Sequence, residues 1–416
     1  MREMKDSGTL AFGTIPSTWK ITKFKNLFFL RSTKNTGNRE LLSVYLDKGV
    51  ISYSDSDGMQ VHKPSESLAA YQNVEIGDFV LNNQQAWRGS VGVSKYHGII
   101  SPAYFVYSMT DECYAPYMNY LLRDSSMVHQ YELASRGVGT IQRNLFAPWL
   151  KNRIVLIPPI CEQKVIANFL DSQCSEIDAI SADIQKEIEI LEQYKRSVIT
   201  EAVTKGLNPD VEMKDSGVPW IGKMPANWTC IKGKYILKYM QKPVKTDDGV
   251  ITCFRDGEVT LRSKRREDGF TMADKEIGYQ GIDVGDLVVH GMDGFAGAIG
   301  ISDSRGKASP VLNVLDSRQN KKYIMYYLRS MAYGDVFAAL ATGIRVRSCD
   351  LRWNKLSVLL YPVPPLEEQT EIVQYIEDTL NKVNGVISEK KQQLEVLDSY
   401  KKSLIYEYVT GKKEAL

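Results

Sequence analysis

Three short stretches carry side chains that could grip or read a nucleic acid. Asn82, Asn83, Gln84 and Gln85, followed by Ala86-Trp87-Arg88-Gly89, join amides that match an adenine edge to a guanidinium that matches guanine or phosphate. The second stretch, Ser135 to Asn144, sets Arg136, Thr140, Gln142 and Arg143 among glycines that let the backbone approach phosphates. A counterpart lies far downstream, with Thr342, Arg345, Arg347 and Ser348 around Gly343. The third is the most basic run of the chain, Arg262-Ser263-Lys264-Arg265-Arg266. Each has a plain structural alternative: a polar loop capping a sheet, a turn between a helix and the last strand, and a solvated surface run. A loop matching the first stretch, His290-Gly291-Met292-Asp293-Gly294, is poorer in donors.

Constellations for catalysis are missing from the sequence. Gly300 to Lys307 has the wrong spacing for a phosphate-binding loop, and no glycine-rich cofactor fingerprint follows a strand. No Asn-Pro-Pro-aromatic tetrapeptide of the amino-methyltransferase type occurs. Asp210 and Glu212 stand two apart in a linker, which does not suit a metal-dependent nuclease. The six cysteines and four histidines are scattered without a C-x-x-C pair, so a zinc site is not expected and free thiols in a reducing cytoplasm are. Hydrophobic residues at 43% and charged residues at 25% fit folded domains, and a net charge of +2 confines any basic surface to a local patch. The start, MREMKDSG, lacks an apolar segment, and no run of about 18 apolar residues appears. A soluble cytoplasmic protein without a bound metal or cofactor is expected.

The elements that must position these stretches come in duplicate. MKDSGTLAFGTIPSTW at 4–19 and MKDSGVPWIGKMPANW at 213–228 are identical at eight of sixteen positions. EIGDFVL (75–81) meets DVGDLVV (283–289), YMNYLLR (117–123) meets YIMYYLR (323–329), IPPICEQ (157–163) meets VPPLEEQ (363–369), and YKRSVITEAVT (194–204) meets YKKSLIYEYVT (400–410). The offset holds between 206 and 209 residues, so one unit is written twice.

Within each copy, short apolar runs between Gly, Asn and Asp turns predict strands and loops, with helices over 116–134 and 321–341. A long helix then follows Pro158-Pro159 or Pro364-Pro365, with Glu162 and Glu368 placed where the helix dipole favours negative charge. Leu170, Ile177, Ile184, Leu191 and Val198 repeat every seven residues, and Ile180, Ile188 and Tyr194 are expected to complete a coiled-coil seam. Ile376, Val383, Leu397 and Leu404 repeat it, with Val386, Ile387, Leu394 and Tyr400, and Lys390 interrupts it. Two such seams most simply bury each other as an antiparallel pair. About 40 helical residues span roughly 60 Å. The expected segmentation is 1–157 and 208–363 for the mixed parts, and 158–207 and 364–416 for the helices.

Taken together, the duplicated P-P-x-x-E-Q helix start, the K-D-S-G…W linker and the Y-K-[RK]-S-[VL]-I-x-E-x-V-T helix end resemble the DNA specificity subunit of a type I restriction–modification system. The resemblance spans essentially the whole chain. It implies two α/β (α+β) target-recognition lobes separated by two long antiparallel coiled-coil helices, with a pseudo-twofold internal repeat. Each lobe would read one half of a split double-stranded DNA site, and the helices would set the spacing and carry two modification subunits. Methyl transfer from S-adenosylmethionine to adenine would then belong to the modification subunits, and ATP- and magnesium-dependent translocation and cleavage to restriction subunits. The chain itself would be a non-catalytic targeting subunit without a cofactor. Thr9-Leu10-Ala11-Phe12 replaces Val-Pro-Trp-Ile in the first linker copy, which predicts different local packing there. A coiled-coil adaptor that clamps protein partners and never reads DNA is the competing reading, slightly favoured by the near-neutral charge and disfavoured by the glycine- and arginine-bearing loops repeated in both lobes.

Overall fold

The computed structural model describes residues 2–9, 11–35, 37, 39–56, 64–65, 67–138, 142–265, 276–340 and 351–415. Compactness divides the chain differently from sequence texture. One unit comprises Met1–Ile184 with Gln392–Leu416, and the other is Gln185–Lys391. Each therefore joins one mixed lobe to the start of one long helix and the end of the other.

The first lobe is built on a four-stranded antiparallel sheet in the order Phe28–Arg31, Tyr104–Met109, Phe79–Asn82, Val91–Val93. The second repeats it with Leu237–Tyr239, Leu312–Ser317, Leu287–His290 and Ile299–Ile301. Period-two alternation decides what each face covers. Phe79 and Leu81 enter a large core shared with the helices, while Val80 faces a small core under the hairpin Leu42–Tyr45/Gly49–Ser52. In the second unit Leu287 and Val289 take the first role and Val288 the second. Side chains are buried on both faces, so the inner strands read as continuous apolar runs rather than as alternation.

The helix expected over 116–134 is two helices, Ala115–Arg123 and Ser125–Leu133. Asp124 breaks it by capping the second, its carboxylate accepting from the Ser126 amide at 2.9 Å. Lys321–Tyr333 is its counterpart.

The long helices are Ile160–Lys205 and Leu366–Val409, and Gly206 and Gly411, both at positive φ, end them. Within the first unit the pairing is antiparallel: Phe169 packs on Tyr408 at 4.5 Å and Asp178 meets Lys401 at 2.6 Å. Within the second, Glu187 meets Lys390, and Gly206 lies against Glu368. The seam differs from the expected one by a residue at several positions. Ile180, Tyr194, Val386 and Tyr400 are 43%, 49%, 41% and 53% exposed. A 3.5-residue period instead turns Ser181, Lys195 and Lys401 inward, and keeps Ile387 of the expected seam buried. Polarity hid the first three, and an apolar neighbour stood in for each. Lys390 neither leaves the seam nor breaks it; its stem stays half-buried and its ammonium reaches Glu187 on the facing helix.

Candidate nucleic-acid interface

In the first unit, strand Phe79–Asn82 delivers the amide-rich loop. The Asn82 carboxamide accepts from the Gln84 amide at 2.9 Å, and a short turn, Ala86–Arg88, ends at Gly89 with φ of 100°. Only glycine adopts that conformation at little cost. Buried Ala86 pins the turn, leaving Gln84 and Arg88 exposed.

The second stretch forms the hairpin Ser135–Val138/Gln142–Leu145. It docks on the first: the Leu145 amide donates to the Asn83 carbonyl at 2.9 Å. Two candidate stretches far apart in sequence thus share one surface. Trp87 sits between them, its indole N–H donating to the Gln84 carbonyl at 3.0 Å. The guanidinium of Arg88 lies 4.9 Å from its ring and that of Arg143 5.0 Å. Arg143 also bonds Glu132 at 2.8 Å. Arg136, exposed on the hairpin, lies 3.6 Å from the Phe146 ring and 4.4 Å from Trp149. Stacking occupies a guanidinium's face and leaves its in-plane N–H donors for phosphate or a guanine edge. Thr140 lies outside the described residues, and of Gln142 only the strand position is described.

The second unit builds the same loop with other chemistry. His290 ends the strand, and its Nδ1 accepts from the Asp293 amide at 2.9 Å. Burial lowers its pKa, which fits a neutral ring that accepts at Nδ1. Gly297, with φ of 94°, ends the turn as Gly89 does, and the Leu351 amide donates to the Gly291 carbonyl at 2.8 Å. Where the first unit has Gln85, Trp87 and Arg88, the second has Asp293, Phe295 and Ala296, and Asp293 is bound to Arg255. Thr342, Arg345, Arg347 and Ser348 lie outside the described residues.

The basic run forms one turn, Arg262–Arg265, and its charges are engaged locally. Arg265 bonds Asp256 at 2.6 Å and Glu258 at 2.8 Å and lies 4.0 Å from the Phe254 ring. Lys264 donates to Ser304 at 2.7 Å beside Asp303, and Arg262 reaches the Thr252 hydroxyl at 3.3 Å. Arg266 lies outside the described residues. Among the described residues no group of three or more His, Cys, Asp or Glu side chains could hold a metal ion.

No family model matches the chain. Over 96% of its length it is 23% identical to the putative type I restriction enzyme MjaX specificity subunit of Methanocaldococcus jannaschii, covering 95% of that protein. It is 24% identical to the type I restriction enzyme MjaVIII specificity subunit of the same organism, over 71% of this chain and 69% of the relative. A chain from a structure on complex assembly and conformational transition of the type I R-M system superposes with a TM-score of 0.68, covering 96% of this chain and 99% of its own at 14% identity. By sequence the chain is similar to type I restriction enzyme specificity subunits, and by fold to a chain from a structure of the type I R-M system.

The motifs repeated in the two copies form the joints between lobe and helix. Gln163, fully buried, donates to the carbonyls of Glu112 and Pro158 at 2.8 and 2.9 Å and accepts from the Tyr114 amide at 2.7 Å. Gln369 repeats this with Gln319, Pro364 and the Asn320 amide. Glu162 and Glu368 accept the indole N–H of Trp19 and Trp228, each at 3.0 Å. Tyr117 donates to the Val409 carbonyl at 3.2 Å and Tyr323 to that of Val203 at 3.1 Å, tying each lobe to the end of the other copy's helix. Sequence reasoning assigned only the helix dipole to the glutamates. The recurrence of Trp, Glu, Gln and Tyr in both copies was the signal for the rest.

Proposed function

We propose that this chain is the DNA-recognition subunit of a type I restriction–modification complex, with each unit reading one half of a split target. The observation that carries the reading is a whole recognition unit present twice, with unchanged joints and a changed loop chemistry. A split, asymmetric site asks for that combination. The named relatives, matched along nearly the full chain in one case, support it.

Two modification subunits would dock on equivalent surfaces. Exposed apolar residues recur at matching places on the two long helices: Ile180, Ile190 and Tyr194 on one, Val386, Val396 and Tyr400 on the other. Apolar side chains left outside a helix pair suit a protein partner better than water. In this reading the modification subunits bind S-adenosylmethionine and methylate adenine, restriction subunits use ATP and magnesium, and this chain holds no cofactor. No helix among the described residues is long and apolar enough to cross a membrane, and the cytoplasm is the proposed location, where DNA is met.

The test is methylation mapping of DNA from cells with and without the chain, its modification subunit being present in both. A split methyl-adenine motif that depends on the chain is expected. Its absence, with an active modification subunit, would overturn the proposal. Calorimetry of the isolated chain with S-adenosylmethionine should show no stoichiometric binding, and stoichiometric heat would contradict the non-catalytic assignment.

A further inference from the structure

Among the described residues, the first unit gathers arginines on the aromatic rings of its strand-end loop and hairpin, whereas in the second Arg265, which also lies on a ring, is paired with Asp256 and Glu258. Arg88 and Arg143 come from different segments and meet on the two-segment surface at one ring, Trp87, which its bond to the Gln84 carbonyl fixes in turn. Arg136 is held against Phe146 and Trp149. An unsupported arginine side chain samples many rotamers, and docking it on a phosphate costs that freedom. A guanidinium already resting on an aromatic face has lost part of it while keeping its in-plane donors. In the second unit the positions equivalent to Trp87 and Arg88 are Phe295 and Ala296, and Arg255, Lys264 and Arg265 are bound to carboxylates.

We propose that the aromatic–guanidinium cluster of the first unit is a preorganised grip for the phosphates of duplex DNA, with Arg88 and Arg136 as contacting residues and Trp87 as a positioning residue. The inference rests on the DNA-reading function proposed above and adds which residues supply the sequence-independent part of binding. The amides Gln84 and Gln85, next to the grip, are left for base edges.

The experiment measures binding of the full chain to a labelled duplex of ~40 base pairs and arbitrary sequence, between about 50 and 200 mM salt. Arg88→Ala and Arg136→Ala should each flatten the dependence of log affinity on log salt by about one. Trp87→Ala removes no charge yet should weaken binding and flatten the same plot, and Trp87→Phe should restore most of it. A purely structural tryptophan would not move the slope while circular dichroism stays native. If the wild-type chain binds and the two arginine variants keep its slope, the grip is wrong while DNA reading stands. If the wild-type chain binds no duplex at all, the DNA-reading function fails, and this inference with it.

Discussion

Replacing Gln163 by alanine should open the joint between the first lobe and its long helix. The side chain is fully buried and makes three hydrogen bonds, to the carbonyls of Glu112 and Pro158 and from the amide of Tyr114. Alanine leaves all three backbone groups without that partner. At about 1 kcal/mol per net hydrogen bond the loss is about 3 kcal/mol, and unsatisfied buried groups raise it toward ~5 kcal/mol. Tyr114 is the residue before helix Ala115–Arg123, so the weakened segment is the start of the helix that carries Tyr117. Hydrogen exchange read by mass spectrometry resolves this locally. Exchange of the 112–118 segment should quicken by about two decades, since each 1.4 kcal/mol is tenfold. Gln369→Ala should quicken the segment around Asn320 and leave 112–118 unchanged, because its partners all lie in the second unit. Glutamate at 163 should be no better than alanine, since it loses both donors and buries a charge. An exchange change below about threefold for Gln163→Ala would refute the argument that this glutamine locks the joint.

Lys390→Leu should raise stability to urea by about 1 kcal/mol, because the ion pair with half-exposed Glu187 contributes little and leucine fills the seam; a comparable loss would mean the pair holds the helix register. Gly257→Ala should destabilise the second unit by more than about 2 kcal/mol, because φ is 88° and a Cβ would lie 1.6 Å from Arg329, which holds the Gly257 carbonyl. Gly217→Ala, at φ of 71° with open space around it, should cost only about 1 kcal/mol, and equal losses in thermal unfolding would discredit the steric reasoning. Hydrogen bonds from Lys242 and then Arg305 hold the Asp283 carboxyl down at about 2. Its folded value lies below the unfolded value near ~3.9, so its contribution is present above about pH 4 and fades as pH falls toward 2. Asp283→Asn should therefore flatten the acid limb of a stability–pH curve in that window, and superimposed curves would remove this group from the account.

What could be read from the sequence was mostly what is local or repeated. The two long helices were marked by the proline pairs before them and Gly206 and Gly411 after them, and the recurrence of whole motifs disclosed the two copies. Seam positions slipped by a residue because Ser181, Lys195 and Lys401 are polar, and a pattern search selects the apolar neighbour. The break at Asp124 was missed because a capping aspartate inside a helical pattern looks like a solvated position. Both stretches of the candidate surface in the first unit were picked out, but their meeting rests on long-range contacts, Leu145 to Asn83 and Arg143 on Trp87, between residues about 60 apart. The same limit applies to the run Arg262–Arg265. Its composition suggested a basic patch, while Asp256, Glu258 and Asp303, brought in by hairpin and sheet, balance it.

The two copies also show which parts of the unit were free to change. A glutamine with no exposed surface, a tryptophan bonded to a glutamate, and a tyrosine bonded to a helix-end carbonyl appear in both units with closely matching partners. Each satisfies polar groups that burial would otherwise leave unpaired, so a change at one demands a change at several. The loop after the central strand is under no such constraint. Its backbone is held by main-chain bonds, a positive-φ glycine, Gly89 or Gly297, and a strand-end side chain, Asn82 or His290, that accepts from a loop amide. Asn83 to Arg88 and Gly291 to Ala296 could therefore diverge while strand, turn and joint stayed the same, with Asn82 and His290 both keeping an acceptor for the loop amides. A scaffold that fixes its joints through buried side chains and its loop mostly through backbone can change the loop's chemistry without refolding, as the split-site reader proposed above would require.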